Sequence, residues 1–256
     1  MHVAGGHNVA VAGGRFRPLA LAVLPAVFMS QIAVAASPDL YAATVVVTGR
    51  DNLAERARGI REALPLVLTK LTADDQIAKR AVSQAIVENA EAAVERIEYV
   101  DRKEGVQISD EQGTRERSFE LTVRFDPDKV DAIVEDLGGV VWAGERPRLA
   151  VALTIDDGMS TYLLTRSSEK GWGQRLAFED AAQALALPIA LPGEAPAADT
   201  APRLEGNMRI TAAGYWNTDW RFRSGDTDER FATNGVTFDA AISEALRHSA
   251  KALAKH

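Results

Sequence analysis

Residues 42–48 read Ala-Ala-Thr-Val-Val-Val-Thr, a β-branched run that predicts a strand, and residues 49–52 supply turn and cap chemistry directly behind it. Leu53, Ala57, Ile60, Leu64, Val67 and Leu71 then recur at alternating steps of four and three, which is one apolar helix stripe. Glu55, Arg56, Arg58, Arg61 and Glu62 lie mostly off that stripe. Pro65 conflicts with it, because proline removes a backbone donor and collides with the carbonyl four residues earlier, so a kink or break is expected there. A second helix is expected from Asp74-Asp75 to about 89, buried by Ile77, Ala81 and Ala85, and a third helical piece over 91–96 leads into a strand at 97–103. Residues 104–115 are polar and form a loop. Behind them Phe119, Leu121, Val123 and Phe125 alternate with Ser118, Glu120, Thr122 and Arg124, a half-buried strand paired with 97–103. Asp126 caps a helix whose first residue is Pro127, and Gly138-Gly139 ends it.

Past a connector at 142–147 a second strand system begins. The nearly continuous apolar run 149–155 predicts a strand covered on both faces. A helix over 176–187, a short apolar piece at 189–191, a proline-rich loop at 192–203 of mobile composition, strands near 206–212, 215–223 and 229–235, and a helix from 239 onward complete the pattern. The reading is an α+β protein of two consecutive small domains, each a mixed or antiparallel sheet covered by helices. Residues 40–140 read β-α-α-β-β-α and residues 148–256 read β-α-β-β-β-β-α.

The first residues add a leader. Arg15 and Arg17 precede an apolar run over 18–29, and the Ala33-Val34-Ala35 stretch has the small residues of a cleavage site, so residues 1–35 are read as a signal peptide cut after Ala35. Export to the periplasm follows as an expectation. Phe16 between the two arginines argues against a twin-arginine signal, and the absence of cysteine excludes a lipid anchor, disulfides and thiolate chemistry. Removing the leader takes two basic residues and no acidic ones. The remaining 27 Lys+Arg stand against 36 Asp+Glu, a formal charge of −9. That balance sets nucleic acid and anionic bilayers aside as partners, and no second segment is apolar enough to span.

The catalytic inventory is thin. Only His248 and His256 remain after cleavage, no G-x-S-x-G, Walker loop or complete dinucleotide turn occurs, and no cofactor is called for. Asp156-Asp157-Gly158 stands where the 149–155 strand ends, and either closes a turn or holds a hard cation. Asp226, Asp228 and Glu229 cluster too, but Arg230 and a missing glycine break the calcium-loop pattern. Trp216, Thr218, Trp220 and Phe222 share one strand face, opposite Asn217, Asp219, Arg221 and Arg223. The aromatic row is either a glycan-stacking surface or the inner face under the last helix. Period-two alternation with charges opposite favours the inner face, which leaves Arg221 and Arg223 as the available surface. Trp142 and Arg146 in the connector are read as locking the two domains, with Arg146 also able to pair with a partner carboxylate. The candidate partner-binding residues are therefore Trp142, Arg146, Arg221 and Arg223.

The stripe Arg61-Glu62-Ala63-Leu64, the run RFDPDKVDAIVEDLG (124–138), the block VVWAGERPRLAVAL (140–153), Trp216, Trp220 and the helix start GVTFDAAISEAL (235–246) resemble the DUF2066 family of uncharacterised exported bacterial proteins. Pro65 departs from that family's usual helix. The second half is similar in topology to the amino-terminal domain of TolB and to CsgG-type periplasmic domains. The resemblance implies no catalytic residues. It implies an envelope protein acting by contact with another envelope protein, the alternative being a carboxylate-based hydrolase or divalent-cation protein using Asp156 and Asp157.

Overall fold

Asn52 accepts hydrogen bonds from the backbone N–H groups of Ala54 and Glu55, and this cap opens α1 (Leu53–Thr72) directly behind strand β1 (Ala42–Thr48). The structure is a computed structural model that describes residues 39–102, 117–194 and 200–255. The expected signal peptide and the loop 104–115 lie outside the described residues. Pro65 does not break α1, which runs through it without interruption. An interior proline costs about 3 kcal/mol. Ile60, Leu64, Val67, Leu68 and Leu71 are all fully buried along the same helix, and each such side chain returns roughly 1.5–3 kcal/mol, so burial wins. Gly59 lets the helix backbone lie on the sheet. A Cβ there would stand 2.8 Å from both Leu121 Cδ2 and Val47 Cγ1.

The helix expected to reach 89 ends early, at Ser83, as α2 (Asp75–Ser83). Ala85 then takes a left-handed conformation, with φ of 55°, and a 3-10 helix follows over Ile86–Ala93. Its period of three aligns Val87, Ala90 and Ala93, and all three are buried. That geometry replaces the expected helical piece at 91–96, and β2 (Val94–Asp101) starts at once. β3 (Ser118–Phe125) runs antiparallel between β1 and β2, with Val45 and Tyr99 both opposite Leu121. Asp126 caps α3 (Pro127–Asp136) through the N–H groups of Asp128 and Lys129.

The second sheet has six strands: β4 (Leu149–Asp156), β5 (Thr161–Leu163), β6 (Ile189–Ala190), β7 (Arg203–Ile210), β8 (Trp216–Ser224) and β9 (Thr227–Val236). Their order is β5-β4-β7-β8-β9, with β6 also on β4. β4 is parallel to β6 and β7, and the other pairs are antiparallel. α4 (Trp172–Ala184) and α5 (Phe238–Leu253) complete this half. β5 was not expected from the pattern. β4 is not covered on both faces either: Leu149, Val151, Leu153 and Ile155 are buried, whereas Ala150, Ala152, Thr154 and Asp156 are half-exposed. Small Ala and Thr side chains on the open face made the run look apolar throughout.

The fold is therefore α+β with two sheets, each packed against helices. Residues 38–256 form one compact unit containing two apolar cores. In the stretch expected to be a mobile loop, Glu194 pairs with Arg148 and Arg166, the Arg166 N–H bonds the Pro192 carbonyl, and Arg203 already begins β7. Residues 195–199 lie outside the described residues.

Candidate functional site

The period-two rule places alternate residues of β7, β8 and β9 on opposite faces of the larger sheet. The inner residues Leu204, Gly206, Met208, Trp216, Thr218, Trp220 and Phe222 are buried in the core that includes α4 and α5. On the other face Arg203, Asn207, Arg209, Asp219, Asp228 and Arg230 are exposed and Glu205, Arg221 and Arg223 half-exposed, so no described element covers it. Diagonal cross-strand pairs organise this face. Arg221 makes a two-pronged contact with Asp228, Nε to Oδ1 at 2.8 Å and Nη2 to Oδ2 at 2.5 Å, Arg209 bonds Asp219 at 2.9 Å, and Arg223 bonds Glu205. The bond from Arg221 holds the Asp228 carboxyl below its ordinary range, with further help from the charges of Arg230 and Arg223. Five arginines thus stand on one face of an acidic chain.

Trp216 and Trp220 belong to the core. Trp220 is 2% exposed and donates its indole N–H to Thr233 Oγ1 at 3.1 Å, and Trp216 packs edge-on against Phe238. Neither indole is available to stack on a sugar, which ends the glycan reading of that row. Of the four tryptophans Trp172 is the exposed one, at 69%, and Met159, Ile210 and Tyr215 are further exposed apolar side chains in the same half.

Trp142 and Arg146 are both spent inside the chain. Trp142 is buried in the second core, and its N–H bonds the Leu71 carbonyl at 2.8 Å. The Arg146 guanidinium lies 4.3 Å from the Trp142 ring centre, donating Nη2 to the Lys70 carbonyl at 2.8 Å and Nη1 to the Leu185 carbonyl at 2.6 Å. Those carbonyls sit at the ends of α1 and α4, where a cation meets unpaired acceptors and the negative end of each helix dipole. Burial pushes the Arg146 and Lys70 cations below their ordinary values. Two carbonyls and an indole already engage Arg146, while its Nε is buried without a hydrogen-bond partner. Asp75 pairs with Arg247 at 3.2 Å and Asp74 with Lys251 at 2.9 Å, adding a second link between the halves. A cleft of about 240 Å³ opens at this join, between Ile77, Arg80, Trp142 and Lys251.

Asp156 and Asp157 close the turn from β4 to β5. Asp156 Oδ1 accepts from the Gly158 N–H at 3.0 Å, and Asp157 Oδ1 accepts from Met159 and Ser160 at 2.9 and 2.7 Å. Those backbone donors hold the Asp157 carboxyl below its ordinary range. Asp228 is taken by Arg221, and Glu229 by His248 at 2.6 Å, with His248 stacked 4.0 Å from Phe231. Among the described residues no group of three or more His, Cys, Asp and Glu is placed to hold a metal ion, and no helix is long and apolar enough to cross a membrane.

Sequence reasoning identified Arg221 and Arg223 and named Asp228 only in the broken calcium-loop cluster, while it missed Glu205 and the neighbours Arg203 and Arg209. The signal was the alternation Arg203, Glu205, Asn207, Arg209, hidden by starting that strand at 206.

Residues 34–143 match the family model described as Domain of unknown function (DUF8605). The matched span starts ahead of β1, contains the three-stranded sheet with its helices, and stops one residue after Trp142. It is a family without assigned function, as the residues suggested in kind, and the match does not bear on DUF2066 itself. No curated protein and no solved structure matches the chain.

Proposed function

We propose that this protein is a non-enzymatic contact module of the cell envelope, exported to the periplasm with cleavage near Ala35, and that it holds a partner protein on the open face of its larger sheet at Arg221 and Arg223. The observation that carries this reading is the face itself: five strands wide, uncovered, and organised by cross-strand ion pairs that fix the side chains in advance of contact. Preorganised charge favours specificity and encounter rate over raw affinity. The carboxylates that a hydrolase or cation site would use are engaged by backbone N–H groups or by arginine, so that alternative has less support. The wider relation to DUF2066 proteins, resting on the W-x-x-x-R-P block, is part of the same proposal and accords with a contact role. Photo-crosslinking residues at positions 221 and 223 in growing cells test it. A discrete protein adduct is expected from both, and capture of no protein under any growth condition overturns it.

A further inference from the structure

We propose that Arg203 and Arg223 form a carboxylate-binding notch at one end of the open face, receiving an acidic side chain of the partner. This rests on the contact reading and names the chemistry of its partner. The two arginines are directly opposite in the β7–β8 register, where like charges repel. Glu205 answers only one of them, through its bond to Arg223. Among the described residues the Arg203 side chain makes no hydrogen bond or ion pair, and the Nε of Arg223 is shut off from solvent without a hydrogen-bond partner. A buried donor left unpaired is unfavourable and is normally satisfied.

Both arginines line a recess of about 380 Å³ whose other walls are Thr200, Ala201, Ser224 and Gly225. Among the described residues no carboxylate lines it. The described donors are two guanidinium groups and two hydroxyls, and its size suits one or two side chains. A planar carboxylate matches the guanidinium fork in a two-pronged way that water does not. On a protein partner the anion is supplied by Asp or Glu, and binding removes the repulsion between the opposed arginines.

Titration of the mature chain with an acetylated, fluorescein-labelled hexaglutamate peptide, followed by anisotropy at low and high salt, tests the notch. Saturable binding that weakens with salt is expected. Arg203→Gln should weaken it about tenfold or more, the loss of one charge-assisted bond, while Arg96→Gln, which removes the same charge from the other sheet, should change it less than about twofold. Thermal unfolding confirms that Arg203→Gln, an exposed position, is folded. Equal affinity in wild type and Arg203→Gln overturns the notch, as does the absence of saturable binding. Displacement of the peptide by inorganic phosphate at lower concentration than by acetate also overturns it, since the site would then be one for phosphate. An adduct at position 221 that forms at wild-type level in Arg203→Gln cells leaves the contact reading standing and overturns the notch. Peptide binding lost in Arg203→Gln, with no adduct in cells, supports the notch and overturns the contact reading.

Discussion

The guanidinium of Arg146 lies over the indole of Trp142, its neighbour four residues back in the same connector, at 4.3 Å from the ring centre. The stacking orients a fork that reaches Lys70 in one direction and Leu185 in the other. A short connector thereby closes the ends of two helices from different cores. Truncation leaves two carbonyls without their donor and removes the cation from the indole face. Arg146→Ala should lower unfolding free energy by about 2–3 kcal/mol. Arg146→Lys should recover only part of that, because one ammonium does not span both carbonyls. Urea unfolding followed by tryptophan fluorescence checks both.

Trp220 is seated through the absence of a side chain beneath it. A Cβ on Gly206 would come within 2.5 Å of Trp220 Cζ3 and 2.7 Å of Leu153 Cδ1. Gly206→Ala should therefore cost about 1–3 kcal/mol through overpacking, and it should shift the tryptophan emission. Thr233→Val, which strands the indole N–H, should cost about 1–3 kcal/mol by a separate route.

Buried indoles also predict a negative result. In a Trp172→Phe background, which removes the exposed tryptophan, soluble cell-wall oligosaccharides should leave the fluorescence unchanged. Quenching that depends on Trp216 or Trp220 would contradict their burial.

Glu55 gives an acid-side prediction. Hydrogen bonds from Arg58 and from the Thr48 N–H, opposed by burial, lower its carboxyl from 4.5 to about 2. The folded state binds the proton less readily than the unfolded chain. The stabilisation is therefore complete above the unfolded value of 4.5 and is lost as pH falls towards 2. Glu55→Gln should melt earlier than wild type at pH 6, and the gap should close by about pH 2. Melting curves across that range check it.

Asp157 should behave as a turn residue. Asp157→Ala removes the acceptor for two backbone N–H groups and should lower the melting temperature. Calcium or magnesium should leave the wild-type melting temperature unmoved, since the carboxylate is already engaged. A cation-dependent rise abolished in Asp157→Ala would reverse this assignment.

Much of the framework was legible because periodicity is local. The α1 stripe, the alternation of β3 and the cap at Asp126 all lie in contiguous residues. The split at Ala85 was not legible, because an alanine in left-handed conformation has no local signature. Neither was the continuity of α1 across Pro65, since the compensation comes from Val47, Leu121 and other residues distant in sequence. For the site, alternation in β8 was enough to send Trp220 inward and Arg221 outward. The ion-pair lattice depends on which strands are neighbours, and that order is a property of the sheet and of no single strand.

Asp75 and Arg247 are 172 residues apart in sequence, as Asp74 and Lys251 are 177. This link between the halves cannot close until the last helix has been delivered. A growing chain therefore carries α2 through the synthesis of the whole second sheet before its counterparts on the last helix arrive. A chain that stopped short of Arg247 would keep the acidic start of α2 without these two partners for good.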